Sequence, residues 1–466
     1  MTINILLIYP PLPSFFIEES GVLYGMAPPL GLLYLASPIE QRGDTVTILD
    51  FTAEPYDERT LEIHAKNADV VGVSMLSTSV EKTVTIVNFL KQQHPHLPII
   101  IGGPHCTLFP EKSLQETKAD LCLQGEGEGS IIPLLNALEA TTVPSSIPGI
   151  YYRSHGKILQ GKPTTFINDI DRLSFPARHL VKHYAYGRGY RPHSKGGEFT
   201  SLITSRGCPY QCTFCSRHSL TMEHYRSRSV DNILEELHLI QDQGYLHVEF
   251  KDDCFPVNLK KAKQLFKGII QEKIDLHFYV TSARVNIFDA SLYHTMKKAG
   301  VVHLQFGLES GNQEVLDFYH KQITLKDIRK AVQESSRAGF STAGSFILGA
   351  PLETPRHFSD TLSFATFLPL DSVTFLPLRY MAGSDLWWEA VHQGKIREDE
   401  YLVDAGSERD LAHVTTRQLH QYCARAQKAF YLRPGFWFHL LCSPFRTHDL
   451  RLIQSYSSYF LKKRSS

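Results

Sequence analysis

The sequence predicts an α/β fold in three parts: a doubly wound domain, a partial (β/α)6 barrel and a mostly helical C-terminal segment. Short apolar runs alternate with amphipathic stretches in residues 1–140, and the alternation resumes with a longer repeat after residue 200. This pattern is typical of parallel strands joined by helices. The chain has 466 residues, of which 42% are hydrophobic and 21% charged, so it is long enough for about three globular domains.

Five apolar runs predict the strands of the first domain. They are residues 3–9, 45–49, 70–74, 99–101 and 121–123. Strands that are apolar throughout and are joined by helical stretches, such as residues 80–93, indicate a parallel sheet that helices cover on both faces. We therefore expect a doubly wound domain with five strands over residues 1–140.

Residues 141–200 are richer in Pro, Gly, Ser and His than the parts around them, which predicts a linker or cap. Within this stretch, residues 149–153 and 157–160 flank Ser154-His155-Gly156. Two short runs around such a turn predict a β-hairpin.

Six further strands are predicted after residue 201. They are residues 202–204, 247–250, 277–280, 303–307, 345–348 and 372–375. Six strand-helix units within residues 201–380 fit a partial barrel better than a full barrel, which takes ~250 residues. Its active residues are expected at the C-terminal ends of the strands. Residues 381–466 lose the alternation and become aromatic, so helical or irregular structure is predicted there.

The charge balance and the N-terminus exclude several classes of partner. Lys and Arg number 48, as do Asp and Glu, so no basic excess favours nucleic acid or an anionic membrane surface. The apolar N-terminal run is stopped by Pro10, well short of the ~20 residues that a membrane helix needs. Eight cysteines are too few for a disulfide scaffold in a chain of this length, which predicts a reducing, cytoplasmic location.

Three of the cysteines, Cys208, Cys212 and Cys215, lie close together directly after the first predicted barrel strand. Thiolates at this spacing can converge on one metal site, and both iron–sulfur clusters and zinc prefer thiolate ligands. Three cysteines leave one iron of a [4Fe–4S] cluster without a protein ligand. The alternative is a structural zinc site completed by His218, but such sites typically stabilise small domains without the core that this chain has.

The CxxxCxxC spacing, with Phe214 before the last cysteine and on the first loop of a six-unit barrel, resembles the radical S-adenosylmethionine (SAM) superfamily. The resemblance implies that the open iron binds the amino and carboxylate groups of SAM. It also implies that an electron from the cluster cleaves an S–C bond of SAM to give a 5′-deoxyadenosyl radical. The electron would come from a donor such as flavodoxin or ferredoxin.

Segments at the ends of the later strands are similar to the family's motifs, in the family's order, as far as about residue 377. Ser345 replaces the usual first glycine of the last of these motifs, with Gly344 one place earlier. The acidic residues after the second strand could instead cap the next helix. The SAM contacts that the resemblance implies are Phe214, Asp252, Asp253, Ser282, Arg284, Glu309, Ser310, Ile347 and Gly349.

Small residues end three strands of the first domain, in Val-Gly-Val-Ser-Met-Leu, Ile-Gly-Gly-Pro and Gly-Glu-Gly-Glu-Gly. These segments resemble the cobalamin-binding domain that precedes many radical SAM barrels, where small residues let a flat corrin approach the sheet edge. A dinucleotide site is disfavoured because no GxGxxG follows the first strand and because two carboxylates would repel a pyrophosphate. A flavodoxin-like domain that only packs on the barrel is the alternative. The implied cobalamin contacts are Ser74, Leu76, Gly102, Gly103, Gly125, Glu126 and Gly127.

The loop after the first predicted strand, Pro10-Pro11-Leu12-Pro13-Ser14, contains no histidine. It resembles the group of cobalamin domains that provide no histidine ligand to cobalt, and His105 is the nearest rival ligand. The remaining cysteines are scattered and are predicted to be small buried residues. Only two of them lie in the first domain, which is too few to bind a second cluster there and therefore disfavours a methylthiotransferase. The scattered cysteines are Cys106, Cys122, Cys254, Cys423 and Cys442.

The resemblance implies a cobalamin-dependent radical SAM enzyme, with methyl transfer to an unactivated carbon or to phosphorus as the leading activity. The deoxyadenosyl radical would take a hydrogen atom from the substrate, and methylcobalamin would then deliver a methyl group. Cyclisation, ring rearrangement or oxidation with the same cofactors, and a zinc-stabilised binding module, are the alternatives. The aromatic C-terminal segment favours a small hydrophobic or aromatic substrate.

Overall fold

The computed structural model describes residues 2–13, 27–187, 198–221 and 224–436. Within these ranges the strands are β1 (Asn4–Tyr9), β2 (Thr45–Asp50), β3 (Val70–Ser74), β4 (Ile99–Gly102), β5 (Leu121–Leu123), β6 (Ile150–Ser154), β7 (Lys157–Gln160), β8 (Phe199–Leu202), β9 (Ser205–Arg206), β10 (Arg226–Ser227), β11 (His247–Phe250), β12 (His277–Ala283), β13 (Val301–Glu309), β14 (Ser341–Leu348), β15 (Ser372–Pro377), β16 (Arg379–Met381) and β17 (Leu402–Asp404).

The α-helices of the same ranges alternate with these strands through most of the chain, which confirms the predicted α/β class. They are α1 (Leu30–Gln41), α2 (Glu58–Ala65), α3 (Val80–Gln93), α4 (Pro104–Leu108), α5 (Pro110–Glu116), α6 (Ile131–Glu139), α7 (Arg217–Thr221), α8 (Val230–Asp242), α9 (Leu259–Gln271), α10 (Ala290–Lys298), α11 (Gln313–Phe318), α12 (Leu325–Arg337), α13 (Pro355–Phe367), α14 (Asp385–His392) and α15 (Thr416–Leu432).

The first sheet has the strand order β2-β1-β3-β4-β5-β6-β7. Its first five strands in the chain are parallel, and β6 and β7 are antiparallel to their neighbours. The hairpin that we predicted within a linker therefore belongs to this sheet, which has seven strands rather than five. The reason is that Tyr152 of the hairpin lies opposite Leu121 and is buried in the core of the first domain.

Side chains alternate between the two faces of this sheet, as they must in any strand. Ile5 and Leu7 of β1 pack on one side, in a core that includes α1 and α6. Leu6 and Ile8 pack on the other, in a core that includes α2 and α3. Because both faces of the sheet are covered by helices, the edge at the carboxyl ends of the strands is where a ligand can bind.

The second sheet has the order β15-β14-β13-β12-β11-β8, with all six strands parallel, so the predicted partial barrel is confirmed. Its first strand covers Phe199–Leu202 rather than the predicted residues 202–204. All four residues of the observed strand are buried, with Leu202 opposite Phe250. Thr204 leaves the sheet because its N–H donates to the Asp252 carboxylate at 3.1 Å.

The C-terminal segment packs on the barrel and is not only helical. β16 and β17 form an antiparallel pair, and α15 lies along β15, where the Tyr431 hydroxyl lies 3.0 Å from both the N–H and the carbonyl oxygen of Val373. Trp387 is fully buried in the barrel core. Four of the scattered cysteines, Cys106, Cys122, Cys254 and Cys423, are buried as predicted. Cys442, Trp437 and Phe438 lie outside the described residues.

None of the helices in the described part of the chain combines the length and the apolar character that crossing a membrane requires.

Candidate cofactor site

The cysteine loop, residues 207–225, carries the three motif cysteines. Its two ends are joined by the antiparallel strands β9 and β10, in which Arg206 lies opposite Arg226. Gly207 has a φ of +86°, and a Cβ atom there would lie 2.3 Å from the His224 carbonyl oxygen. Only glycine tolerates both the backbone angle and this close approach, so the sequence Arg-Gly-Cys allows the loop to close at its base.

The three thiols of the loop have different surroundings. The Cys254 thiol donates a hydrogen bond to Cys208 and lowers the pKa of Cys208 to about 7. Burial raises the pKa of Cys212 and raises that of Cys215 to about 11. Thiolates are the form that binds iron, so cluster binding must remove protons from this loop.

Three cysteines of one loop are a donor set that fits a [4Fe–4S] cluster with one open iron. Within the four described ranges, no three His, Cys, Asp or Glu side chains are close enough to hold one metal ion. In a [4Fe–4S] cluster each thiolate binds a different iron, so the thiols of the cysteine loop do not need to meet at one ion.

The C-terminal segment contacts the cysteine loop directly. The Leu386 N–H, in the first turn of α14, donates to the Thr213 carbonyl oxygen at 3.0 Å. His218 Nε2 lies 3.1 Å from Asp385 Oδ1. His218 therefore pairs with α14 through Nε2, whereas its Nδ1 is buried without a partner among the described residues. The contact to Asp385 alone does not decide between a Cys₃His zinc site and a cluster, because a metal-bound histidine commonly has its second nitrogen on a carboxylate.

Two acidic residues after β11 hold the chain at the start of the cysteine loop. Asp253 accepts a hydrogen bond from the Gly207 N–H at 3.1 Å and pairs with Arg217 Nε at 3.1 Å. Asp252 accepts from both the N–H and the hydroxyl of Thr204, and burial raises its pKa to about 6. Both carboxylates have partners within the protein, so their predicted contacts to SAM stay predictions.

Two cations lie at the mouth of the barrel. The Arg284 guanidinium is 3.4 Å from the centroid of the Tyr210 ring and donates to the Lys321 carbonyl oxygen, so this implied SAM contact already has partners within the protein. Lys321 Nζ donates to Glu309 at 2.5 Å and lies 5.9 Å from the centroid of the Phe214 ring. Glu309 has a φ of +60°, a backbone conformation that is rare outside glycine and is found preferentially at functional sites.

Two predicted serine contacts differ in what they offer a ligand. Ser282 has a buried hydroxyl without a hydrogen-bond partner, and a buried polar group of this kind is satisfied when a ligand binds. The Ser310 hydroxyl lies 3.3 Å from that of Thr361 and is fully buried. Of the two, Ser282 is the one whose hydroxyl is available.

The loop after β14 is held by a buried carboxyl group. The N–H groups of Gly349 and Ala350 donate to Glu353 Oε2 at 2.7 and 2.8 Å, whereas Glu353 Oε1 is buried without a partner. Burial raises the pKa of Glu353 to about 7. Ile347 packs, partly buried, against the barrel core. A Cβ atom on Gly349 would lie 2.6 Å from Leu419 Cδ2, so α15 approaches this loop closely.

The raised pKa of Glu353 makes the stability of the protein depend on pH. Below a pH of about 4.5 the carboxyl is protonated in both the folded and the unfolded chain, and the folded state loses stability as the pH rises through about 7. The shift corresponds to about 3 kcal/mol. We expect Glu353→Gln to be more stable than the parent at pH 8 by an amount of this order and to differ little at pH 4.5, as measured by urea unfolding. An equal difference at both pH values would contradict this account.

A cavity of about 630 Å³ lies between the carboxyl edge of the first sheet and the barrel. This is within the size range of sites that enclose most of a bound small molecule or cofactor. All seven predicted cobalamin contacts line it: Ser74, Leu76, Gly102, Gly103, Gly125, Glu126 and Gly127. The barrel contributes Ile203, Arg206, Arg217, Lys251 and Asp253 to the lining of the same cavity.

The cavity wall fits a flat ligand because small residues keep it open. Gly103 has a φ of +103°, and a Cβ atom there would lie 3.2 Å from both Ser74 Oγ and the Met75 carbonyl oxygen. Glycine at this position therefore lets β3 and β4 end close together at the cavity. The Glu126 carboxylate, in contrast, is paired with Arg206 and Arg226 at 3.1 and 2.7 Å.

Tyr9, the last residue of β1, and Leu12 of the following loop line the cavity, whereas Ser14 lies outside the described residues. Burial raises the pKa of Tyr9 to about 12. His105 is fully buried, with Nδ1 3.0 Å from the Ser77 hydroxyl and its ring centroid 4.3 Å from that of Tyr401. His105 is not among the residues that line the cavity.

Sequence reasoning missed four cations of the site, Arg206, Arg217, Lys251 and Lys321. Arg206 directly precedes the cysteine loop and Arg217 lies within it, two positions after Cys215, so both are close to the motif in the sequence. Lys251 directly precedes the two acidic residues that were singled out. Lys321 stands in a helix-to-helix turn with no motif of its own, and only the fold brings it to Glu309.

Comparisons with known proteins agree with this arrangement. The B12 binding domain family matches residues 20–134, and the radical SAM superfamily matches residues 202–365. An uncharacterized methyltransferase of Pyrococcus horikoshii is 31% identical over 92% of this chain and 93% of its own length. Cytidylyl-2-hydroxyethylphosphonate methyltransferase of Streptomyces wedmorensis is 24% identical over 80% of each chain.

A solved structure shares the whole architecture. The radical SAM methyltransferase TsrM from Kitasatospora setae, with cobalamin and a [4Fe–4S] cluster bound, aligns with a TM-score of 0.73 at 17% sequence identity. The alignment covers 93% of this chain and 90% of that one. At this identity the likeness concerns the fold. Taken with the family matches over both halves, it shows that this chain is an enzyme of the radical SAM superfamily with an N-terminal cobalamin-binding domain, and that its cofactors are cobalamin, a [4Fe–4S] cluster and SAM.

Proposed function

We propose that this enzyme transfers a methyl group from SAM to an unactivated carbon, or to phosphorus, of a small molecule. The observation that carries the proposal is the shared cavity, which has the predicted cobalamin contacts on one wall and residues that flank the cysteine loop on the other. Two cofactors must act on one substrate in this reaction, so they must open onto a common space. Both relatives described above are named methyltransferases, which supports methyl transfer as the leading activity.

The two halves of the chain bind different cofactors. Cys208, Cys212 and Cys215 hold the cluster, and the small residues at the ends of β3 and β4 hold cobalamin. When bound, the cofactors supply the radical and the methyl group, while the protein sets distances and excludes water. The SAM contacts that we propose are Phe214, Asp252, Asp253, Ser282, Arg284, Glu309, Ser310, Ile347 and Gly349. We further propose residues 1–140, together with the β6–β7 hairpin that extends their sheet, as the cobalamin-binding part, the rest of residues 141–200 as the linker and cap, residues 201–380 as the radical SAM part, and residues 381–466 as the C-terminal segment.

We also propose that no histidine of this chain binds cobalt. The loop after β1 has none up to Ser14, and His105 is buried against Ser77 and Tyr401. Burial lowers the pKa of His105 to about 3, so its ring is neutral and could bind a metal only by leaving this packing. Electron paramagnetic resonance of the cob(II)alamin form tests this: we expect no nitrogen splitting from the protein. A splitting that disappears in His105→Ala would show the proposal to be wrong.

The environment of the enzyme follows from its cysteines and its substrate cavity. The seven cysteines of the described residues are all free, which supports a reducing cytoplasm. Reduction of the cluster would need an electron donor, for which we propose a protein such as flavodoxin or ferredoxin. The apolar residues of the cavity support a small substrate with a hydrophobic or aromatic part.

The ratio of products separates methyl transfer from the alternatives. The holoenzyme is incubated anaerobically with SAM, a reductant and a metabolite extract of the source cells. Methylation of carbon consumes SAM twice, so we expect extract-dependent formation of both 5′-deoxyadenosine and S-adenosylhomocysteine. Deoxyadenosine that rises with the extract while S-adenosylhomocysteine does not would favour a cyclase or oxidase.

A further inference from the structure

The base of the cysteine loop is a two-stranded ribbon in which two cations face each other. β9 and β10 pair so that Arg206 lies opposite Arg226. Like charges directly opposite each other in an antiparallel pair destabilise it. This ribbon therefore needs anions from elsewhere to stay closed, and its closure brings the two ends of the cysteine loop together.

The anions come from the Gly-Glu-Gly-Glu-Gly loop of the cobalamin-binding half. Glu126 Oε1 accepts from Arg206 at 3.1 Å and Glu126 Oε2 accepts from Arg226 at 2.7 Å, so one carboxylate joins both arms of the ribbon. Glu128 Oε1 accepts from Arg206 at 2.5 Å. Two positive and two negative charges cancel within this group.

The four charged side chains are shielded from water, with exposed fractions between 9% and 15%. The Arg206 guanidinium lies 5.1 Å from the centroid of the Tyr34 ring, and Glu126 also accepts from the Ile167 N–H at 2.9 Å. Burial alone would raise the pKa of Glu126, but the arginines outweigh it and the pKa is lowered. Removing a carboxylate from a buried site destabilises the protein more than removing one from the surface, because a buried cation is left unpaired.

We infer that Glu126 is a positioning residue for the iron–sulfur cluster rather than a contact to cobalamin. Its carboxylate keeps the β9–β10 ribbon closed and thereby keeps the three thiols of the cysteine loop within reach of one cluster. The inference rests on the cluster assignment in the proposed function. It also means that the cobalamin-binding half takes part in retaining the cluster.

The rate of iron loss tests the inference without any assay of activity. The parent, Glu126→Gln and Glu139→Gln are reconstituted anaerobically and exposed to a coloured iron chelator, and cobalamin affinity is measured by absorbance. Glu139 is the matched control, because it pairs with Arg42 at 2.9 Å away from the barrel. We expect Glu126→Gln to lose iron roughly tenfold faster than the parent and to bind hydroxocobalamin within about twofold of the parent. Glu139→Gln should match the parent in both measurements.

A double variant distinguishes the loss of charge balance from a general destabilisation of the fold. Glu126→Gln combined with Arg226→Gln removes one anion and one cation, so we expect iron loss to return to within about threefold of the parent rate. If Glu126→Gln does not fold, Glu128→Gln carries the test, since it leaves Glu126 joined to both arms and removes only the second partner of Arg206.

Three results would overturn the inference. The first is an unchanged rate of iron loss in Glu126→Gln, and the second is a large loss of cobalamin affinity without faster iron loss. The third is a double variant that releases iron as fast as Glu126→Gln. A parent protein that binds no cluster would instead contradict the proposed function, so the two failures are distinguishable.

Discussion

Replacing Cys208 by alanine is expected to abolish both cluster binding and the formation of 5′-deoxyadenosine from SAM. Two thiolates cannot hold a [4Fe–4S] cluster and also leave only one of its irons open. The same loss is expected for Cys212→Ala and Cys215→Ala. The measurements are iron and sulfide content after anaerobic reconstitution, and deoxyadenosine by mass spectrometry with a chemical reductant.

Cys254→Ala is the control, because it removes a neighbouring thiol without removing a proposed cluster ligand. Cys254 is the non-motif cysteine whose thiol contacts Cys208, and it is buried, as Cys212 of the loop is. We expect it to keep both the cluster and deoxyadenosine formation. If Cys208→Ala forms deoxyadenosine at the parent rate, the cysteine loop does not generate the radical, and the assignment of the site is wrong.

Replacing Ser74 by phenylalanine is expected to block cobalamin binding. Ser74 ends β3 at the cavity wall, and its hydroxyl would be 3.2 Å from a Cβ atom at Gly103, so the wall there has no room for a ring. Overpacking of this kind costs about 1–3 kcal/mol, which corresponds to a decrease in affinity of up to roughly a hundredfold. Absorbance titration with hydroxocobalamin measures the change.

Ser74→Ala is the matched control, because it removes the hydroxyl without adding volume. It should bind cobalamin within about threefold of the parent, since one exposed hydrogen bond contributes little. Thermal unfolding of both apo-proteins checks that the fold is intact. Equal cobalamin affinity in the parent and in Ser74→Phe would mean that the cofactor does not lie against this edge of the sheet.

The fold could be predicted from the sequence because apolar periodicity is a local property. Strands β1 to β5 and five of the six barrel strands lie where their apolar runs predict them. The first barrel strand was misplaced because its polar residues, Thr200 and Ser201, are fully buried. Buried polar residues do not appear as an apolar run.

The site was predictable where residues are close in the sequence, and less so where the fold brings distant residues together. The cysteine motif and the small residues at the ends of strands are local patterns, and the structure gathers the predicted cobalamin contacts around one cavity. The partners of the charged residues are not adjacent in the sequence: Glu126 pairs with Arg206 across 80 positions, and Glu309 pairs with Lys321 across 12 positions that include helix α11. A sequence pattern predicts that a carboxylate lies at the site, but not that an arginine already pairs with that carboxylate.

The central claim is that one cavity brings a methyl group from SAM to a substrate through cobalamin. The most direct test uses SAM with a fully deuterated methyl group, the anaerobic holoenzyme, a reductant and the metabolite extract, followed by mass spectrometry of the small molecules. We expect one extract component to gain an intact trideuteromethyl group, only when cobalamin and the cluster are both present. A component that loses hydrogen or changes its ring without gaining the label, under conditions that form deoxyadenosine, would contradict the claim.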